Sequence, residues 1–127
     1  MNETFVSFYL TNGRVHVFPS ALHGIGDPPF IRFLLSKDGK TMVMEPYDHK
    51  EFASMRVPKA MYTNSEKRAQ MEISCVPFSR LLAKWLNWEK DGSYRIPGKI
   101  ISAQKLVLFD LEKTYSIHET KKEVDCE

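Results

Sequence analysis

The sequence predicts a β-rich α+β fold in which two related strand–helix–hairpin units share a small barrel-like core. Three observations carry that expectation. Short apolar runs of strand length recur between turn residues along the 127 residues. A proline, a short helical stretch and a hairpin follow one another after Pro19, and again after Pro77. A 43% hydrophobic share with 12% aromatics can fill one core, which excludes disorder throughout.

The first unit spans residues 1–49. Asn12-Gly13 lies between the apolar runs Phe5–Leu10 and Val15–Phe18 and predicts a tight hairpin. After Pro19, Ser20–Gly26 is long enough for one or two helical turns, and Gly24 or Gly26 can supply the left-handed residue that closes them. Asp27-Pro28-Pro29 forces an extended or turn conformation. Phe30–Leu35 reads as a strand, Ser36–Lys40 as a turn with Asp38-Gly39 at its tip, and Thr41–Glu45 as the returning strand. Val43 between Met42 and Met44 predicts burial on both faces, and Pro46 should end the strand.

Residues 50–70 read as a basic connecting segment, with Thr63–Gln70 as an exposed loop. The second unit spans 71–118. Met71–Val76 is a strand ending at Pro77. Phe78–Trp88 is the clearest helix, with Phe78, Leu81, Leu82, Trp85 and Leu86 forming one apolar stripe and Arg80, Lys84 and Asn87 opposite it. Asp91-Gly92 turns the chain into Ser93–Ile96, which Pro97-Gly98 should break or bulge. Lys99–Ser102 continues the strand, Lys105–Phe109 is strongly apolar, and Tyr115 with Ile117 suits a last strand. Residues 119–127 read as a polar tail. The competing explanation of the repeated order is chance, since mixed α/β chains yield such correspondences.

Gly13-Arg14-Val15, a proline, a short helix ending near Gly26 and a hairpin closing on Glu45-Pro46 resemble the AbrB/MazE/MraZ-type swapped-hairpin regulators and antitoxins. The likeness covers mainly residues 13–46. It implies a swapped-hairpin fold and DNA contact, with Arg14 as a phosphate-contacting residue. Two departures stand against it: Phe18 adds a residue before Pro19, and Ser20, Ala21 and Leu22 stand where the family carries basic residues. Arg56-Val57-Pro58-Lys59 reads either as a second entry of the same type or as a plain extended segment. The whole chain also resembles small proteins encoded on mobile elements of Gram-positive bacteria, which implies a context and no mechanism.

Charge is unevenly spread. Residues 1–49 carry 4 basic and 5 acidic side chains, residues 50–105 carry 11 and 5, and residues 106–127 carry 3 and 6. A middle section this positive suits phosphate, whose neutralisation supplies nucleic-acid affinity. The candidate phosphate contacts are Arg56, Lys59, Lys67, Arg68, Arg80 and Lys84, with Arg14 added by the resemblance; the bland competitor is a solvated surface. No chemistry of bond-making stands out. His16, His23, His49 and His118 lack metal-ligand spacing, no serine sits in a nucleophile elbow, Gly24-Ile25-Gly26 lacks the rest of a phosphate-cradling fingerprint, and Cys75 has no base beside it in sequence. No enzyme, cofactor or metal is expected. Cys75 and Cys126 sit in unlike settings, Met1–Thr4 lacks a signal-peptide pattern, and no apolar run approaches the roughly 20 residues that span a bilayer, so a cytoplasmic protein off the membrane is expected. The reading is a nucleic-acid-binding accessory or regulatory protein with DNA as its partner and a homo-oligomer allowed. The alternative is a non-catalytic protein-interaction module of a mobile element, using Tyr47, Phe52, Tyr62 and Trp88 as its contact surface.

Overall fold

The computed structural model describes residues 3–49, 54–57, 71–74 and 76–117. Nine strands and two α-helices lie within them: β1 (Glu3–Tyr9), β2 (Arg14–Val17), α1 (Pro19–Gly24), β3 (Phe30–Leu35), β4 (Thr41–Tyr47), β5 (Ser54–Arg56), β6 (Met71–Ser74), α2 (Val76–Leu86), β7 (Ser93–Ile101), β8 (Leu106–Asp110) and β9 (Tyr115–Ser116). The strands join in one sheet in the order β5-β3-β4-β8-β7-β1-β2-β6, and β9 pairs with β7 beside β8. Every pairing is antiparallel, and the sheet curls into a half-barrel. Among the described residues no helix is long and apolar enough to cross a membrane.

Strand alternation builds the core. Val6 and Phe8, Val15 and Val17, Ile31 and Phe33, Met42 and Met44, Ile96 and Ile100, and Val107 and Phe109 are the buried alternate residues of six strands. Ala21 and Leu22 of α1 and Phe78 and Leu82 of α2 complete it from the helices. Phe8 is the aromatic hub, with ring centroids 6.3 Å from Phe33, 6.3 Å from Phe78 and 5.8 Å from Trp88. Phe33 and Phe78 stack at 5.3 Å. Burial of that many aromatic faces is a large share of the fold's apolar driving force.

The order strand, helix, two strands occurs twice, as β2-α1-β3-β4 and as β6-α2-β7-β8. In each case the last two strands form a hairpin pair. The two runs are laced together: β4 pairs with β8, β2 with β6, β1 with β7, and β5 with β3. Arg32 of β3 stands opposite Ser54 of β5, and Arg95 of β7 stands opposite Ser7 of β1. Both serines are buried. The Arg95 Nε donates to Ser7 Oγ at 2.9 Å, and Arg32 donates to the Glu45 carboxylate.

The Asn12-Gly13 hairpin forms as expected: Tyr9 pairs with Arg14 across a four-residue loop in which Gly13 takes φ +71° and the Asn12 side chain accepts the Arg14 N–H at 3.0 Å. Other sequence expectations change. Pro46 does not end β4 but pairs with Ile31; it lies past Met44, the last residue β8 meets, so the strand is an edge on that side and tolerates a proline. Pro97 likewise breaks nothing. It faces Phe5 within continuous β7, in the gap between the stretches that pair with β9 and β8. Val43 is half-buried while Met42 and Met44 are buried, so β4 is covered fully on one face only. Arg56-Val57 is extended, with Ser54–Arg56 on the sheet edge and the Val57 N–H bonded to Pro29 O. The polar tail, Cys75, Cys126 and His118 lie outside the described residues.

Candidate functional site

Helix α2 carries two of the seven candidate cations, Arg80 and Lys84. Pro77 suits the first turn, where its missing N–H has no partner to lose. The helix closes at Asn87, whose φ of +58° lets the Trp88 N–H reach back to Ala83 O at 2.9 Å. The buried arc is not the stripe read from the sequence. Phe78, Ser79 and Leu82 are buried and Leu86 half-buried, while Leu81 and Trp85 are exposed. The helix is thus rotated toward Ser79. One flank, made of Ser79, Arg80, Ala83 and Lys84, faces the loop between β1 and β2.

Between that flank and the loop runs an open groove of about 720 Å³. Leu10, Thr11, Asn12 and Gly13 form one wall. The other consists of Ser79, Arg80, Ala83 and Lys84, and Asn87, Trp88, Lys90 and Asp91 close the end. Arg80, Lys84 and Lys90 are exposed cations, and Asp91 is the one acidic residue of the lining among the described residues. Two hydrogen bonds fix the loop wall to the end of the groove: Leu10 N–H to Gly92 O at 3.0 Å and Thr11 Oγ1 to Asp91 O at 3.3 Å. Ser79 is 2% exposed, and among the described residues its Oγ has no hydrogen-bond partner. A buried hydroxyl without a partner is uncommon and costly, about 1–3 kcal/mol.

Of the residues expected from sequence to contact phosphate, Arg80 and Lys84 line this groove together. Arg14 opens β2 directly after the groove residue Gly13. Arg56 is elsewhere, exposed on edge strand β5 with its guanidinium 5.0 Å from the Phe30 ring centroid. Lys59, Lys67 and Arg68 lie outside the described residues. Lys90, Asn12, Asn87 and Ser79 were missed. Lys90 stands directly before the Asp91-Gly92 turn, which marks it as a loop cation; no local pattern marks Ser79.

The aromatics divide in the same way. Trp88 is half-buried: it stacks on Tyr94 at 4.6 Å and packs, tilted, against Phe8 at 5.8 Å. The Arg32 guanidinium lies 4.2 Å over the Tyr47 ring. Phe52 and Tyr62 are outside the described residues. His23 pairs with Asp27, His49 with Asp48, and His16 packs on the Tyr9 ring at 4.5 Å. Among the described residues no cluster of His, Cys, Asp or Glu could hold a metal ion.

No family model, no curated protein and no solved structure matches this chain.

Proposed function

We propose that the chain is a cytoplasmic, non-catalytic nucleic-acid-binding accessory or regulatory protein that holds phosphate with the outer flank of α2. One observation carries the reading: Arg80 and Lys84, one helical turn apart, meet Lys90 around a single groove. Cations so placed displace the counterions condensed on a phosphate backbone, and each contact steepens the salt dependence by about 0.7–0.9 in log–log slope. Three contacts therefore give a slope of about −2 to −3. A gel-shift titration of DNA and RNA at low and moderate salt tests this. Binding that weakens steeply with salt, and is lost in Arg80→Glu/Lys84→Glu, is expected; no binding at low salt rejects the reading.

The fold we attach to it is a duplication of swapped-hairpin-like units, residues 1–49 with β1–β4 and residues 71–118 with β6–β8, with β5 of the connecting segment added to the second unit and the AbrB/MazE/MraZ-type regulators as the model. Its support is the exchange symmetry of six of the seven pairings among β1–β8; β1·β2 has no β5·β6 counterpart among the described residues. Swapping each strand for its counterpart turns β1·β7 into β5·β3 and β3·β4 into β7·β8, and leaves β4·β8 and β2·β6 as self-pairs. Val15, four residues before Pro19, pairs with Ile73, four residues before Pro77. The two Arg–Ser pairs across β3·β5 and β7·β1 are counterparts under the same exchange.

A second reading has its own support. Leu34 and Leu108 are exposed on either side of half-buried Val43, in one row across β3, β4 and β8. Such a row suits a protein partner. Binding there would resist salt and be lost in Leu108→Glu.

A further inference from the structure

We infer that the groove between α2 and the β1–β2 loop is a site for single-stranded nucleic acid, with a nucleotide lowered between the two walls. The inference rests on the phosphate-binding reading above and adds which form of nucleic acid is bound, and where.

Shape is the first argument. At about 720 Å³ the groove falls in the size range of small-ligand pockets and has room for a nucleotide-sized group. A duplex presents its phosphates on the outside of a stiff rod. It could touch Arg80 and Lys84 on the rim, but it could not enter between helix and loop. A single strand can turn a phosphate or base inward, because its bases are unstacked and its backbone is free to bend.

The floor is the second argument. Ser79 lines the groove, is 2% exposed, and carries a hydroxyl with no partner among the described residues. The hydroxyl oxygen is closed to solvent in the free protein, so a phosphate oxygen or base edge seated at this floor gives it the hydrogen bond it lacks once the Ser79 side chain turns toward the groove. A rod lying across the rim does not. The burial of Ser79 is also a choice against the apolar stripe, since Leu81 and Trp85 are left exposed while Ser79 is turned inward.

The lining residues fix the mode. Trp88 is already engaged by its own chain, with the Tyr94 ring stacked on it at 4.6 Å and the Phe8 ring tilted against it at 5.8 Å, so base stacking there is not the main contact. Recognition falls to edges: the amides of Asn12 and Asn87 can meet base donors and acceptors, and the Asp91 carboxylate can accept from a base amino group. Asp91 also repels phosphate from its own end, which places the phosphate nearer Arg80 and Lys84. The hydrogen bonds joining Leu10 to Gly92 and Thr11 to Asp91 tie the β1–β2 loop to the end of the groove before any ligand arrives, so little ordering of that wall is needed on binding.

The test is fluorescence anisotropy of a labelled oligodeoxythymidine, with a duplex of equal length, titrated with the full chain at one low salt concentration. The single strand should bind about tenfold or more tightly than the duplex. Ser79→Ala should weaken single-strand binding several-fold without lowering the melting temperature. Ala83→Leu, which narrows the groove and leaves every cation in place, should do the same while sparing what duplex binding there is. Equal or tighter duplex binding overturns the inference and leaves the phosphate reading standing, as does single-strand affinity unchanged in both Ser79→Ala and Ala83→Leu. Absence of binding to either probe removes the phosphate reading itself.

Discussion

At Gly39 the chain takes φ +73°, and a β-carbon there would fall against the Trp85 indole nitrogen. Both facts ask for glycine. Gly39→Ala should therefore cost about 1–2 kcal/mol for the left-handed conformation, read as a lower urea midpoint; an unchanged midpoint would overturn the account. Asp38 beside it accepts from Ser36 Oγ at 2.6 Å and from the Lys40 N–H at 2.9 Å. Those bonds, Ser36 first, hold its carboxyl pKa below the ordinary carboxylate value. A depressed folded-state pKa gives stability that is present above the unfolded value and is lost as pH falls through the folded one. The stability of the native chain should decline through the acid range below about pH 4, by more than that of Asp38→Ala, in urea melts at stepped pH. This turn was legible because Asp-Gly admits few backbone conformations. The Asn12-Gly13 hairpin was legible too, while the length of its loop was not, because the Asn12 side chain accepts the Arg14 N–H and supports four residues between the paired ones.

At the scale of an element, α2 shows what periodicity can and cannot say. Its extent and its apolar side follow from residue spacing, and so does the outward placement of Arg80 and Lys84. Its rotation about its own axis does not. The five-residue stripe is wider than the surface available to cover it: Phe78 and Leu82 reach the core, whereas Trp85 lies against Gly39 of the β3–β4 turn and stays half exposed. The β1–β2 loop on the other flank takes Ser79 and Ala83 instead. No pattern within the helix contains that loop, so the groove was invisible while two of its cations were not. The rotation makes a sharp prediction. Leu82→Ala removes a fully buried side chain and should cost about 2–5 kcal/mol. Leu81→Ala, one residue away and 38% exposed, should cost well under half as much. Equal losses in chemical denaturation would mean that the stripe, and not the rotated arc, faces the core.

Over the whole molecule the repeated order of elements was readable from two prolines and their spacing to the strands, while the partnership of the strands was not. Local patterns specify β3 with β4 through the turn between them, but nothing near β4 in sequence names β8, and nothing near β1 names β7. Those pairings are chosen by mutual burial. Met42 and Met44 of β4 meet Phe109 and Val107 of β8, and Val6 and Phe8 of β1 meet Ile96 and Tyr94 of β7. The consequence is that neither half owns a complete sheet. Cut from the rest, residues 1–49 would keep β1·β2 and β3·β4 but lose β5, β6, β7 and β8, leaving long apolar edges unpaired. A chain interlaced in this way should unfold in a single urea transition with fluorescence and circular dichroism coincident. The isolated 1–49 segment should be unfolded as a monomer and gain structure only with rising concentration, when a second copy can supply strands in place of β6 and β8. Circular dichroism across a dilution series, alongside sedimentation equilibrium, measures both. A concentration-independent folded monomer would show that the first unit closes on itself, and with it the exchange of strands between the two halves would lose its reason.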